Sequence, residues 1–108
     1  MKRLKDVHEA VGSVLAQTLE PHEVIVAVDH NEELLHTLRA ELDSQVNVVL
    51  NDGPHRGSSA TDNVGVSAAT GDIVAFTDDD ATAARHWLEY LAEPYKAVSY
   101  THLTLPTN

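Results

Sequence analysis

The chain contains no cysteine, which removes disulfides, thiolate nucleophiles and thiolate metal ligands together. Aromatic residues are scarce, with one Trp, one Phe and three Tyr in 108 residues, so a core has to be built from Val, Leu, Ile and Ala. Basic residues are few as well. Seven Lys and Arg stand against seventeen Asp and Glu, a formal net charge of −10. That excess argues against a nucleic-acid partner or an anionic-membrane surface, and it would suit a salt-adapted source. No apolar run approaches the roughly 20 residues of a membrane span, and no signal-peptide pattern opens the chain. The expectation is one small domain with one core, no transmembrane segment, and a cytoplasmic setting compatible with a membrane-associated parent.

What the sequence does have is concentrated in Gly71-Asp72-Ile73-Val74-Ala75-Phe76-Thr77-Asp78-Asp79-Asp80. Ile73 to Phe76 is an unbroken apolar run of the kind found when both faces of a parallel strand are covered. Three adjacent carboxylates at its end repel one another unless a cation or hydrogen-bond donors compensate. In open α/β sheets that edge is where ligands bind. A divalent-metal site holding a phosphorylated ligand is the reading these residues suggest. A solvated acidic turn leading into the next helix is the plain alternative, since a carboxylate near a helix start is favourable anyway.

Around this stretch the chain alternates. Lys2 to Gln17 carries an apolar stripe of Leu4, Val7, Val11, Val14 and Leu15, which predicts an amphipathic helix. Val24 to Val28 predicts a buried strand ending in Asp29. His30-Asn31 offers a cap for a helix through Leu34, Leu35, Leu38 and Leu42, ending near Asp43-Ser44. Val46 to Leu50 predicts a third strand segment, and Asn51 to Ser58 a loop. Ser59 and Asp62 have capping-box-like spacing for a helix running to Thr70, with Gly71 as its C′ residue. Ala83 to Leu91 predicts a last helix, closed by Pro94. This order predicts a doubly wound, mostly parallel α/β sheet, with strands at 23–28, 46–50 and 72–77 and helices on both faces. Opening on a helix leaves one strand missing at the front, so the first helix is expected to cover an unpaired sheet edge.

Several residues carry two readings. Asp29 serves as a ligand-binding carboxylate or as part of a cap, and the two are compatible. Arg56 meets a base or phosphate, or is a loop cation among acids. Asn63 and Gly65 read as packing residues. Trp87 reads as core beside Leu88 and Leu91 rather than as a sugar platform. The seven histidines show no HxxxH or HxH spacing, so a zinc site is not expected.

With these residues in view, the chain resembles the family 2 glycosyltransferases of the GT-A fold. The matching segments are Ser13-Val14-Leu15-Ala16-Gln17-Thr18 before a proline, Glu23 to Asp29, Gly57 followed by Asn63-Val64-Gly65, and Ala69 to Asp80, with Trp87-Leu88 beyond. The likeness covers residues 2 to 95. It implies a GT-A nucleotide-diphospho-sugar fold, incomplete here, a nucleotide-diphosphate sugar donor, Mn or Mg, an acceptor of unknown identity, and transfer with inversion. It implies that Asp29 contacts the nucleobase or ribose, and that Asp78 and Asp80 are the outer residues of a DxD motif. Asp80 would then be the more direct metal ligand and Asp78 would lie nearer the ribose, with Arg56 and Asp79 on the donor side. Two departures stand out. Thr61-Asp62-Asn63 occupies the place where the family commonly has Ala-Arg-Asn, and neither the family's first strand nor its acceptor half with the catalytic base is expected in this chain. No catalytic residue is therefore assigned, and the chain is read as a fragment, truncated at both ends and inactive alone. Residues 1–95 are taken as the partial nucleotide-sugar domain. Residues 96–108 resemble translated sequencing-adaptor read-through, although Val, Tyr, Thr and Leu also suit a natural strand.

Two other readings stay open. A receiver- or phosphatase-type domain also gathers aspartates around Mg at strand ends, but it requires a lysine at a later strand end, and Lys96 lies past the last helix. An inert fragment or a carbohydrate-binding remnant is the non-enzymatic reading.

Overall fold

Every residue from Val24 to Val28 is buried, with Ile25 fully so, and this run is the axis of the fold. In the computed structural model, which describes residues 2–95 and 103–107, it forms strand β1 (Glu23–Asp29). The remaining strands are β2 (Val46–Asn51), β3 (Ile73–Val74) and β4 (Leu103–Thr107), in the sheet order β2-β1-β4-β3. All three pairings are parallel. The helices are α1 (Lys2–Leu15), α2 (Glu32–Glu41), α3 (Ser58–Ala68) and α4 (Trp87–Ala92), followed by a 3-10 turn over Glu93–Tyr95. The α/β class and the parallel sheet expected from the alternation are therefore present.

Alternation along β1 sorts the layers. Val24, Val26 and Val28 share one cluster with Val7, Val11 and Val14 of α1, with Leu34, Leu35 and Leu38 of α2, and with Leu88 of α4. Ile25 and Ala27 point the other way, toward α3, which packs on β1 and β2. The predicted stripe of α1 is the buried one, with Ala10 added at full burial. Truncating a wholly buried side chain such as Leu38 to Ala should cost about 2–5 kcal/mol. At the outer edge, Arg39 of α2 donates from Nε and Nη2 to the Val48 carbonyl at 3.2 and 2.9 Å. It occupies an acceptor that an edge strand would otherwise leave open to a second chain.

The sequence reading needs correcting at several places. α1 stops at Leu15 rather than Gln17, because Gln17 N leaves the helical pattern for the Val14 carbonyl at 3.4 Å while its side-chain amide takes the Ser13 carbonyl at 3.1 Å. Asn31 is the cap of α2, its side chain accepting from Leu34 N at 3.0 Å. α3 begins at Ser58 without a side-chain cap, so the Ser59–Asp62 capping box does not form, and it ends at Ala68 with extended Ala69 as its C-cap, so Gly71 is not the C′ residue. α4 starts at Trp87, not Ala83, and Leu91 is exposed.

The largest correction concerns 72–77. Only Ile73–Val74 is strand; both are half-buried, Ala75 is buried and Phe76 is 47% exposed. β3 is an edge strand, paired with β4 over two residues, Ile73 with Leu103 and Val74 with Thr104. Burial on both faces belongs to β1 and not to β3. Nor does the neighbouring edge of β1 stay unpaired under α1: β4 lies along it from Glu23 to Val26. Pro106 has no N–H to donate and lies beyond the two residues paired with β3, where the missing donor is tolerated. Of the tail taken as residues 96–108, 103–107 adopt the strand that their composition suits. Residues 96–102 and 108 lie outside the described residues.

Candidate functional site

β4 ends opposite Val26, while β1 continues to Asp29. A cleft of about 260 Å³ opens beside this overhang at the carboxyl edge of the sheet. Its floor is apolar, formed by Val7, Val26, Val28, Leu34 and Leu38, and its rim is polar, with Asp29, Asn31, Ser58, Thr61, Asp78 and Asp79. Asp29, Asp78 and Asp79 thus meet at one edge, because parallel strands end on the same side.

Asp29 is the most elaborately held of these groups. Its Oδ1 accepts from His30 Nδ1 at 2.5 Å and from Asn51 Nδ2 at 3.3 Å, and its Oδ2 accepts from the Gly57 amide at 2.9 Å. His30 makes this possible by adopting a left-handed φ of 49°. Such backbone is uncommon outside glycine, though His is among the residues that enter it. The same ring donates from Nε2 to the Gly53 carbonyl at 2.7 Å. A carboxylate and a carbonyl only accept, so both ring nitrogens donate only when the imidazole is charged. The hydrogen bond to Asp29, reinforced by Gly53, holds the His30 pKa above its ordinary value. The hydrogen bond from His30, followed by that from the Gly57 amide, holds the Asp29 pKa below its own.

Gly57 supplies its amide from φ 99°, a conformation that L side chains rarely adopt. Beneath it Asn51, 3% exposed, ties the loop together. Its Nδ2 serves Thr61 Oγ1 at 3.2 Å and the His55 carbonyl at 3.0 Å, while its Oδ1 accepts from Gly53 N at 3.2 Å. Asn51 stands directly beside Asp29 in the β1–β2 register.

The triplet differs. Asp78 and Asp79 line the cleft, whereas Asp80 is exposed and outside its lining. Among the described residues no hydrogen bond reaches the Asp78 or Asp80 side chain, and the Asp78 carbonyl accepts from Ala81 N at 3.3 Å in a turn. Arg56 is exposed on the loop and does not line the cleft, yet its charge reaches both Asp29 and His30, lowering the pKa of each. Among the described residues no group of three or more His, Asp or Glu stands ready to hold a metal. His30, Asn51 and Thr61 are the residues that sequence reasoning missed. Asn51 was the most accessible of them, as a polar residue closing an apolar strand in the same manner as Asp29.

Comparison with known proteins bears on what this edge serves. The profile of the Glycosyl transferase family 2 matches residues 2–103. A glucosyl-dolichyl phosphate glucuronosyltransferase of Haloferax volcanii is 41% identical over 97 residues, covering 89% of this chain and 31% of that protein. An uncharacterized glycosyltransferase of Bacillus subtilis is 28% identical over 100 residues, covering 93% of this chain and 37% of its own length. Another from Nostoc is 28% identical over 91 residues, covering 81% and 28%. The chain therefore spans about a third of the length of the curated relatives it matches. No solved structure matches it significantly. The match over almost the whole described chain places it by descent as well as by architecture: it belongs to the family 2 glycosyltransferases.

Proposed function

We propose that this chain is the donor-binding part of an inverting glycosyltransferase, and that its cleft holds a nucleotide-diphosphate sugar with a divalent cation. One observation carries this reading: Asp29 and Asp78, some fifty residues apart in sequence, border one cleft with an apolar floor and a polar rim. In this reading the base or ribose meets Asp29, whose Oδ2 accepts one hydrogen bond among the described residues and keeps capacity for another. Arg56 stands close enough to add positive charge near a phosphate.

Asp78 and Asp80 would hold Mn²⁺ or Mg²⁺. The donor set fits a hard cation: two carboxylates on one turn supply part of an octahedral shell, and diphosphate oxygens and water would complete it. When bound, the cation would neutralise charge developing on the diphosphate leaving group. Because the glucuronosyltransferase relative acts on a dolichyl-phosphate-linked sugar, a nucleotide-activated glucuronic acid and a polyprenyl-phosphate-linked acceptor are the first pair to try. That acceptor class would bring a cytoplasmic enzyme to a membrane; no helix among the described residues is itself long and apolar enough to cross one.

The test is calorimetric titration of UDP and GDP with and without Mn²⁺. Metal should tighten nucleotide, and nucleotide should tighten metal by the same factor. Asp80→Asn should abolish most of that coupling, and Asp79→Asn, at the middle position, should matter much less. Nucleotide binding indifferent to metal would overturn the reading. A larger loss from Asp79→Asn than from Asp80→Asn would move the metal to the residue that lines the cleft.

A further inference from the structure

Gln17 is not among the residues that line the cleft, yet it is 8% exposed and both its amide nitrogen and its amide oxygen are engaged. Nε2 donates to the Ala84 carbonyl at 2.7 Å and to the Ser13 carbonyl at 3.1 Å, and Oε1 accepts from the Leu88 amide at 2.9 Å. Its neighbours on the same turn act on the same segment. Ser13 Oγ accepts from Ala83 N at 2.8 Å while donating to the Ala10 carbonyl at 2.7 Å. Thr18 N donates to the Arg85 carbonyl at 3.0 Å, and its hydroxyl pairs with His86 Nδ1 at 3.1 Å. Four backbone groups between Ala83 and Leu88 are thus held by residues 13–18. α1 closes at the same place: Ala16 N still donates to the Gly12 carbonyl at 3.1 Å, but the Ser13 carbonyl takes the Gln17 side chain while Gln17 N turns to the Val14 carbonyl at 3.4 Å.

We infer that Gln17 is the positioning residue of the aspartate loop, with Ser13 and Thr18 assisting, and that it sets where Asp78 and Asp80 stand against the cleft. The inference rests on the metal and donor reading proposed above for what that placement serves. The loop from Phe76 to Thr82 runs between two anchors. Ala75, buried in the core cluster, holds its start, and the clasp on Ala83, Ala84 and Leu88 holds its end. Between them Thr77 makes an isolated bridge, the Asp78 carbonyl accepts from Ala81 N at 3.3 Å and Asp79 is engaged. The Asp78 and Asp80 side chains gain no hydrogen bond of their own among the described residues, so their placement follows the backbone that the clasp completes. Only an amide satisfies this clasp. A carboxylate would set an acceptor against the Ala84 and Ser13 carbonyls, and a thioether would leave the Ala84 carbonyl and Leu88 amide unpartnered.

The experiment compares the 108-residue chain with Gln17→Met, Gln17→Glu, Ser13→Ala and, as a control for lost stability alone, Leu35→Ala, buried in the core away from the cleft lining. Two readouts are taken at a temperature where each protein is folded: hydrogen exchange of the amides from Asp78 to Ala83, and the Mn²⁺-induced tightening of UDP. In Gln17→Met the loop amides should exchange at least tenfold faster and the metal-induced tightening should fall about tenfold. UDP affinity without metal should stay unchanged, and Gln17→Glu should be worse than Gln17→Met. Leu35→Ala should lower the melting midpoint yet leave loop exchange and coupling alone. If Gln17→Met does not fold, Ser13→Ala carries the same comparison with a smaller shift. Loop exchange in Gln17→Met or Ser13→Ala no faster than in Leu35→Ala overturns the positioning role. Faster loop exchange in a chain whose wild type shows no metal-dependent binding upholds the clasp and removes the donor reading instead.

Discussion

Asp29 and Asp78 border the same cleft, with Asp80 outside its lining, and the protein treats Asp29 and the Asp78/Asp80 pair in opposite ways. Around Asp29 it supplies the donors itself: a charged imidazole, a backbone amide and a buried carboxamide. At Asp78 and Asp80 it supplies none to the side chains among the described residues, and both are exposed. One carboxylate is organised before any ligand arrives, and the other two are kept in place from a distance and left to water or a cation. The difference matches the division of labour proposed for them. A group that reads a base or ribose gains from a fixed orientation, whereas a metal ligand has to keep its lone pairs available.

The comparison is tested most severely in the frame that holds Asp29. Asn51→Ala would remove the carboxamide that serves Gly53 N, the His55 carbonyl and the buried Thr61 hydroxyl, and leaving the Thr61 hydroxyl unsatisfied costs about 1–3 kcal/mol on top of the lost loop contacts. A loss of about 2 kcal/mol or more is expected in urea unfolding, with the m-value unchanged. Asp78→Ala, at an exposed site, should stay within about 0.5 kcal/mol. Equal losses from the two would break the distinction.

A smaller effect is expected from pH. His30 has a raised pKa in the folded chain, so its contribution is complete below the ordinary histidine value of 6.5 and is lost as pH rises through the folded value. Asp29 has a lowered pKa, so its contribution is present above the ordinary 3.8 and is lost as pH falls through the folded value. Stability from the pair should therefore be flat between those two ordinary values and decline on either side. His30→Gln should remove the alkaline decline, and the amides of Gly53 and Gly57 should exchange faster in that variant. An alkaline decline identical in His30→Gln would show that another group titrates.

The smallest effect concerns salt. With a net charge of −10 the folded chain repels itself, and raising ionic strength from 0.1 to 1 M shortens the screening length from about 10 to about 3 Å. Stability should rise with salt. The rise should be smaller by a few tenths of a kcal/mol in Asp78→Asn/Asp80→Asn, a magnitude typical of exposed charge pairs. No change in slope would mean that the triplet is not under mutual strain.

How much of this was legible beforehand depended on the range of the interaction involved. Val24 to Val28, the stripe Val7-Val11-Val14 and the Leu34-Leu35-Leu38 face of α2 were readable because periodicity is a local property, and burial follows it. That Asp29 and Asp78 would lie along one edge was readable too, since parallel strands share an edge. The extent of β3 was not. Ile73 to Phe76 is as apolar as β1, but whether such a run is covered on both faces depends on its place in the sheet order, and it lies at the edge. His30 could not be assigned either, because its role depends on a left-handed backbone and on a carbonyl twenty-three residues away.

The sequence by itself determined the alternation of helices and strands, the apolar composition of the core and the placing of carboxylates at strand ends, all consequences of residue type and short spacing. Only the tertiary structure decided which carboxylate would be held by donors and which left open, and which early residues would pin the aspartate loop. Those outcomes depend on single hydrogen bonds between Gln17 and Ala84, or between Gly57 and Asp29. The bonded groups are brought within 3 Å only after the sheet has closed, and no local pattern encodes that approach.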